Sequence, residues 1–308
     1  MPSVIFGHMH PIDFDVFCIM FNAIGWDVYV PSNKEPNYFG YGATITPSIG
    51  NYTAITYKEA LDIKPDVVLC LCLQHLKGAY KLAREAGSKL VVRSGNNNVP
   101  YRKEHSSFLI SNDTYTYHNS NIPNKLLFYL PPNYDFFYKQ VWQKDSNIVT
   151  SYINYYSKFW KESWSKYTAI RALNFYIAFI NFGVFDGEYS PYLVNQADVR
   201  RTLGISRCVL HIKEKEGYGW SILEAIYSGI PVIAPKRYVL GKTCEKFLVD
   251  GKTAILIGDD PNEFSKAFNN MDVLYQISEI GLKFINEVIN VEEQYSNIKI
   301  FLEGTVLA

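Results

Sequence analysis

Short apolar runs alternate with helix-length segments from one end of this chain to the other, and that alternation limits the fold more than any other feature. Strands buried on both faces of a parallel sheet read as unbroken apolar runs, and each needs a crossover before the next can pair with it. In the first half the pattern predicts strands at Ser3–Gly7, Trp26–Val30, Asp66–Leu73, Lys89–Arg93, Phe108–Ser111 and Leu126–Leu130. Helices are expected at Asp13–Ile24, Tyr57–Ile63 and Leu76–Ala86. A loop rich in Asn, Gly, Pro and Tyr fills 32–52, with a short strand expected at Ala43–Thr46. Pro131-Pro132-Asn133 then breaks the series. It restarts with strands at Ile148–Ile153, Tyr176–Phe182, Cys208–Ile212, Pro231–Ala234 and Ala254–Ile257. Helices are expected between them at Trp160–Leu173, Gln196–Leu203, Trp220–Ser228 and Thr243–Val249, and from Pro261 the chain reads as mostly helical.

Two such series in 308 residues predict an α/β protein of two Rossmann-like domains facing each other across a cleft. Their expected limits are 1–140 and 141–290, with a final helix in 291–308 returning to the first domain. Ligands of such sheets bind beyond the carboxyl ends of the strands. Lys and Arg number 30 and Asp and Glu 30, so no overall field draws the chain to nucleic acid or anionic lipid. Cys18, Cys70, Cys72, Cys208 and Cys244 lie in apolar stretches without a Cys-x-x-Cys pair, which predicts buried thiols in a reducing compartment. The sequence shows neither a signal peptide nor a run near the ~20 apolar residues of a membrane span. A cytoplasmic protein is expected.

The chemistry concentrates between Cys208 and Ile257. There Glu216-Gly217-Tyr218-Gly219-Trp220-Ser221 is followed by Glu224, the two glutamates separated by seven residues. A strand ends near Ile212 and a loop carries Glu216 beyond it. Gly217 and Gly219 allow close backbone approach to a ligand. A helix starting near Trp220 points its free amides and positive end at that loop, favouring an anion. A diphosphate at the helix start, with a carboxylate on each side to accept hydroxyl hydrogen bonds, suits a nucleotide-sugar.

This string, continued through Gly229-Ile230-Pro231 and Glu245–Ile257, resembles the signature of retaining glycosyltransferases of the GT-B fold, family GT4. The resemblance covers about residues 195–270 and extends to the rest only through domain order. It implies that Glu216 contacts the transferred sugar near the reaction centre. The amides of Gly217, Tyr218, Gly219, Trp220 and Ser221 would hold sugar and diphosphate, and Glu224 the ribose hydroxyls. It further implies an Arg and a Lys on the diphosphate just after the first strand of the donor domain. Asn154 stands where the Arg is expected, and Lys158, with Lys161 behind it, is the candidate Lys. The donor implied is UDP- or GDP-linked, with no metal or other cofactor required.

In the N-terminal half, Gly7, His8 and His10 follow the first strand and Arg93 and Asn96 another, which makes them candidates for the cleft and the acceptor. His8 and His10 with Asp13 and Asp15 could suggest a metal cluster, but read better as polar lining. His75 could equally reach the cleft, while His105, His118 and His211 are read as structural. Residues 152–167 carry seven aromatics and three lysines in sixteen positions. Such interleaving suits one buried helix face, and leaves open contact with nucleic acid or a membrane surface. The acceptor hydroxyl is then that of a glycan, a lipid or a hydroxymethylated DNA base. Two competing functions keep the fold: a nucleotide-sugar epimerase or hydrolase, and a non-catalytic nucleotide-sugar-binding protein.

Overall fold

The computed structural model describes residues 1–6, 11–34, 38–39, 50–70, 75–94, 102–132, 138–183 and 196–308, the side chains of residues 11 and 12 aside. The chain divides into two compact units, Met1–Pro131 with Asn290–Ala308, and Pro132–Ile289. Residues 138–140 belong to the second unit, not to the first as the sequence pattern suggests. The Gln140 amide donates to the Ser228 carbonyl at 3.0 Å, and Lys139 pairs with Glu279 at 2.9 Å.

The first unit is built on a seven-stranded parallel sheet. Its strands are β1 (Ser3–Phe6), β2 (Asp27–Pro31), β3 (Thr53–Ile55), β4 (Val67–Cys70), β5 (Lys89–Ser94), β6 (Phe108–Ser111) and β7 (Asn124–Leu127), in the order β3-β2-β1-β4-β5-β6-β7. The central strands β1 and β4 are buried at every residue, as their unbroken apolar runs require. Helices α1 (Pro11–Ala23), α2 (Tyr57–Ile63), α3 (Leu76–Ala86) and α4 (Thr114–Asn119) make connections between strands. A capping box of Thr56 and Glu59 starts α2, and Asp113 caps α4 by accepting from the amides of Tyr115 and Thr116. The sequence pattern marks neither the three-residue β3 nor the short, polar α4, and the strand expected at Ala43–Thr46 lies outside the described residues.

Arg93, near the end of β5, is buried. Its guanidinium meets Asp13 of α1 at 2.7 Å and Asn112 after β6 at 2.8 Å, and packs over the Phe17 ring. This arginine ties α1 to two strands. Removing one member of a buried ion pair strands the other charge in a low dielectric. Asp13→Ala is therefore expected to cost ~3–5 kcal/mol, read as a lower urea midpoint with an unchanged slope.

The second unit has a five-stranded parallel sheet of β8 (Ile148–Ser151), β9 (Ala178–Asn181), β10 (Cys208–Leu210), β11 (Val232–Pro235) and β12 (Ala254–Ile257). Their order is β12-β11-β10-β8-β9. The chain moves outward from β8 to β9, then returns to the other side of β8 for β10. The order therefore reverses between β8 and β10, where such sheets open a crevice at their carboxyl ends. Around the sheet run α5 (Tyr156–Phe159), α6 (Lys161–Leu173), α7 (Gln196–Gly204), α8 (Trp220–Tyr227), α9 (Lys236–Val239), α10 (Asn262–Asn269) and α11 (Met271–Val288).

The helix expected at Thr243–Val249 is only a 3-10 turn, Thr243–Lys246. The Thr253 hydroxyl accepts from the Val249 amide and donates to the Phe247 carbonyl, taking groups that a longer helix would use. Most of the 152–167 aromatic cluster is core. Tyr156 and Tyr167 are buried, Trp160 and Trp164 pack against them, and Lys166 is buried with its amine on Asp259 at 2.8 Å.

The final helix, α12 (Val291–Phe301), continues into a π turn, Leu302–Val306, and belongs to the first unit. Gln294 accepts from the Tyr129 amide at 2.7 Å and Glu303 from the Trp26 indole at 3.3 Å.

Candidate functional site

The crevice between β8 and β10 is bordered by the segments that leave these two strands. After β8 the chain runs through Tyr152 to Ile153, where Asn181 pairs with the main chain as a further ladder step would. Its side chain accepts from the Ile153 amide and donates to the Ile153 carbonyl, both at 3.0 Å. A Cβ on Gly183 would run into that same carbonyl, so this close approach needs glycine.

After β10 the chain enters a loop, 211–219, pinned at several points. The His211 amide donates to the Ile233 carbonyl at 2.9 Å. The Glu214 carboxylate accepts from the Ser163 amide in the first turn of α6, and the Ser163 hydroxyl accepts from the Glu214 amide, both at 2.9 Å. The Lys242 ammonium donates to the Glu214 carbonyl. Tyr218 is buried, its ring packed edge-on against Trp220 at 4.8 Å and Phe247 at 5.5 Å.

These anchors hold Glu216, which is buried and fully engaged. One carboxylate oxygen accepts from Lys213 Nζ at 3.0 Å and from the Gly217 amide at 2.9 Å. The other lies 2.9 Å from His211 Nε2, a close approach without good hydrogen-bond alignment. Burial pushes this carboxyl up, but Lys213 and His211 together outweigh it and hold the group well below the usual carboxylate range.

Gly219 starts α8 in the left-handed conformation, at φ +81°, and has no side chain to cap the helix. The positive end of α8 therefore stays open to an anion. A Cβ at Gly219 would come within 3.0 Å of Ile222 Cδ1 and 3.6 Å of Glu216 Cγ. Gly219→Ala is expected to cost ~1–2 kcal/mol from the left-handed backbone alone, measured by urea unfolding.

Glu224, in the second turn of α8, is the electrostatic opposite of Glu216. It is buried, no cation among the described residues offsets its charge, and burial pushes its carboxyl up to about 8. Its charge is felt at Tyr152, whose phenol burial pushes up in the first place. That hydroxyl shares a 2.9 Å hydrogen bond with Thr202, and the Tyr152 ring stacks on Phe182. Glu224 on α8 and Tyr152 after β8 thus feel one another, while Glu216, Lys213 and His211 belong to the β10 loop.

The other candidates are placed as follows. Asn154 is exposed, and its carbonyl accepts from the Trp160 indole at 3.2 Å. Lys158 is exposed on α5, its ammonium over the Phe159 ring. The cation brought to Glu216 is instead Lys213, which the sequence hid inside an alternating Lys-Glu run that reads as a solvated loop. His211, read as structural, also sits against Glu216. Arg93 is occupied by Asp13 and Asn112, while Gly7, His8, His10 and Asn96 lie outside the described residues. No helix among the described residues is long and apolar enough to cross a membrane.

No family model matches the chain, and no curated protein is similar enough in sequence to match it. Solved structures do match over nearly the full length. Anabaena HepE, solved with UDP and glucose, superposes with a TM-score of 0.65 at 11% identity, covering 98% of this chain and 99% of its own. Sucrose-phosphate synthase from Thermosynechococcus elongatus gives 0.63 at 12% identity, with 99% of each chain covered. The lipopolysaccharide outer core galactosyltransferase WaaB gives 0.56 at 12%, again with 99% of each chain covered. The fold of this chain is that of the GT-B glycosyltransferases.

Proposed function

We propose that this protein is a glycosyltransferase that moves a sugar from a nucleoside-diphosphate donor to an acceptor hydroxyl with retention of configuration. The observation that carries the reading is the uncapped start of α8, with the anchored Glu216 carboxylate just before it and the buried Glu224 in its second turn. The neighbours with UDP and UDP-glucose bound support a nucleotide-sugar donor.

The diphosphate sits at the amides of Tyr218 to Ser221, where the helix dipole favours it, the Gly217 amide being engaged by Glu216. Glu224 takes the ribose hydroxyls. Glu216 faces the transferred sugar, its charge stabilising the positive character that develops at the anomeric carbon. The bond from that carbon to the phosphate oxygen breaks, and a bond to the acceptor oxygen forms on the same face. The acceptor proton passes to the departing diphosphate, so no protein nucleophile is required. Lys158 is assigned to the departing diphosphate, and Asn154 offers a hydrogen bond in place of a charge. The first unit is assigned the acceptor, whose hydroxyl is that of a glycan, a lipid or a hydroxymethylated DNA base. No metal is assigned a role.

The test is to incubate the protein with UDP-, GDP-, ADP- and TDP-sugars and a panel of acceptor glycans and lipids. Free nucleoside diphosphate is followed over time, and the product anomer is determined by NMR. Acceptor-dependent release with a retained anomer supports the reading. Release with an altered free sugar and no acceptor requirement would favour an epimerase or hydrolase. Binding without any release would leave a nucleotide-sugar-binding protein.

A further inference from the structure

Both oxygens of the Glu216 carboxylate are taken up from separate sides in the free protein. One accepts from Lys213 Nζ and the Gly217 amide, and the other faces His211 Nε2. A carboxylate gripped in this way cannot turn about its terminal bond without losing one partner. We propose that Lys213 and His211 are positioning residues, a clamp that fixes the orientation and the charge of Glu216 before any donor arrives. The clamp is a property of the free protein; what it serves rests on the glycosyltransferase reading.

Lys213 is itself held in place. Its ammonium lies 5.6 Å from the centroid of the Trp160 ring, so an aromatic face backs the amine while Glu216 receives it. His211 is fixed at the end of β10 by its amide bond to Ile233. The other charged or titratable groups near Glu216 have separate commitments. Glu214 is spent on Ser163, Lys242 points at the carbonyls of residues 213 and 214, and Cys244 is a buried neutral thiol. None of them replaces Lys213. With Lys213 gone, burial still acts on Glu216 but the nearest cation does not, so its carboxyl rises.

The experiment combines Lys213→Met, which keeps the stem and removes the charge, with Glu216→Gln, the double variant and Lys213→Arg, all in the full chain. In urea unfolding at pH 7, Lys213→Met is expected to shift the unfolding constant roughly tenfold more in the wild-type background than beside Glu216→Gln. In kcat at saturating donor, where the ionisation of Glu224 no longer limits binding, the acid limb of the pH profile is expected to move upward in Lys213→Met. Lys213→Arg should restore it. His211→Gln provides both readouts at the second oxygen. Additive effects in the unfolding cycle, or an acid limb of Lys213→Met that coincides with wild type, would overturn the clamp. Non-additivity in a protein that turns over no nucleotide-sugar would keep the clamp and sink the glycosyltransferase reading instead.

Discussion

Glu216→Gln is expected to lower the turnover of a nucleotide-sugar donor by about two to three orders of magnitude, the scale on which a single preorganised electrostatic partner of a transition state acts. The donor dissociation constant should stay within roughly fivefold of wild type, because the charge matters most when the anomeric carbon becomes positive. Glutamine keeps the shape and one acceptor oxygen but loses the charge that Lys213 and His211 hold in place. Turnover falls with little change in binding when a group acts chiefly in the transition state. Measured kcat by nucleotide release, set against donor affinity by calorimetry, separates the two effects. Equal turnover in wild type and Glu216→Gln would remove Glu216 from the reaction.

Glu224→Gln is expected to act in the opposite direction on the free protein, making it more stable above neutral pH. Burial pushes the Glu224 carboxyl up to about 8 in the folded chain, from an ordinary 4.5. Below pH 4.5 both folded and unfolded forms carry the proton, and the group is neutral in its effect on pH dependence. Between 4.5 and 8 the folded form retains a proton that the unfolded form has lost, so stability falls as pH rises through this window. Above 8 the loss levels off, at a total on the order of 5 kcal/mol. Glutamine carries no such charge. The difference in urea stability between Glu224→Gln and wild type should therefore grow steadily from pH 5 to pH 8 and then flatten. Ribose hydroxyls donate to the ionised carboxylate, so donor affinity of the wild type should rise by up to ~10-fold per pH unit towards pH 8. A stability difference independent of pH would show that Glu224 is not a buried, isolated acid.

Most strands and helices of both sheets follow from features that lie along the chain, while the strand order emerges only in the fold. Buried strands such as β4 and β10 are unbroken apolar runs, and helices α2 and α3 have the spacing and stop signals expected of them. Glu216 and Glu224 stand out in the sequence because they lie on one continuous string, and both are buried in the fold. The remainder of the site does not stand out, since it depends on partners distant in sequence or hidden by composition. Arg93 reads as a free cation at a strand end, but Asp13, 80 residues away, occupies it. Lys213 reads as one charge of a solvated loop until Trp160 and Glu216 are seen around it. The aromatics of 152–167 resemble a binding stripe in one dimension, while most of them fill the core of the second unit.

On the proposed reading, the second unit binds a nucleoside-diphosphate sugar through Glu224 and the start of α8. Thermal unfolding of wild type and Glu224→Gln against UDP-, GDP-, ADP- and TDP-sugars at pH 8, with nicotinamide dinucleotides as controls, tests it most directly. One donor at ~100 times its dissociation constant should add about 2.7 kcal/mol and a shift of several degrees, with a much smaller shift in the variant. Well-folded wild type that no nucleotide-sugar stabilises, or a shift that Glu224→Gln leaves intact, would contradict it.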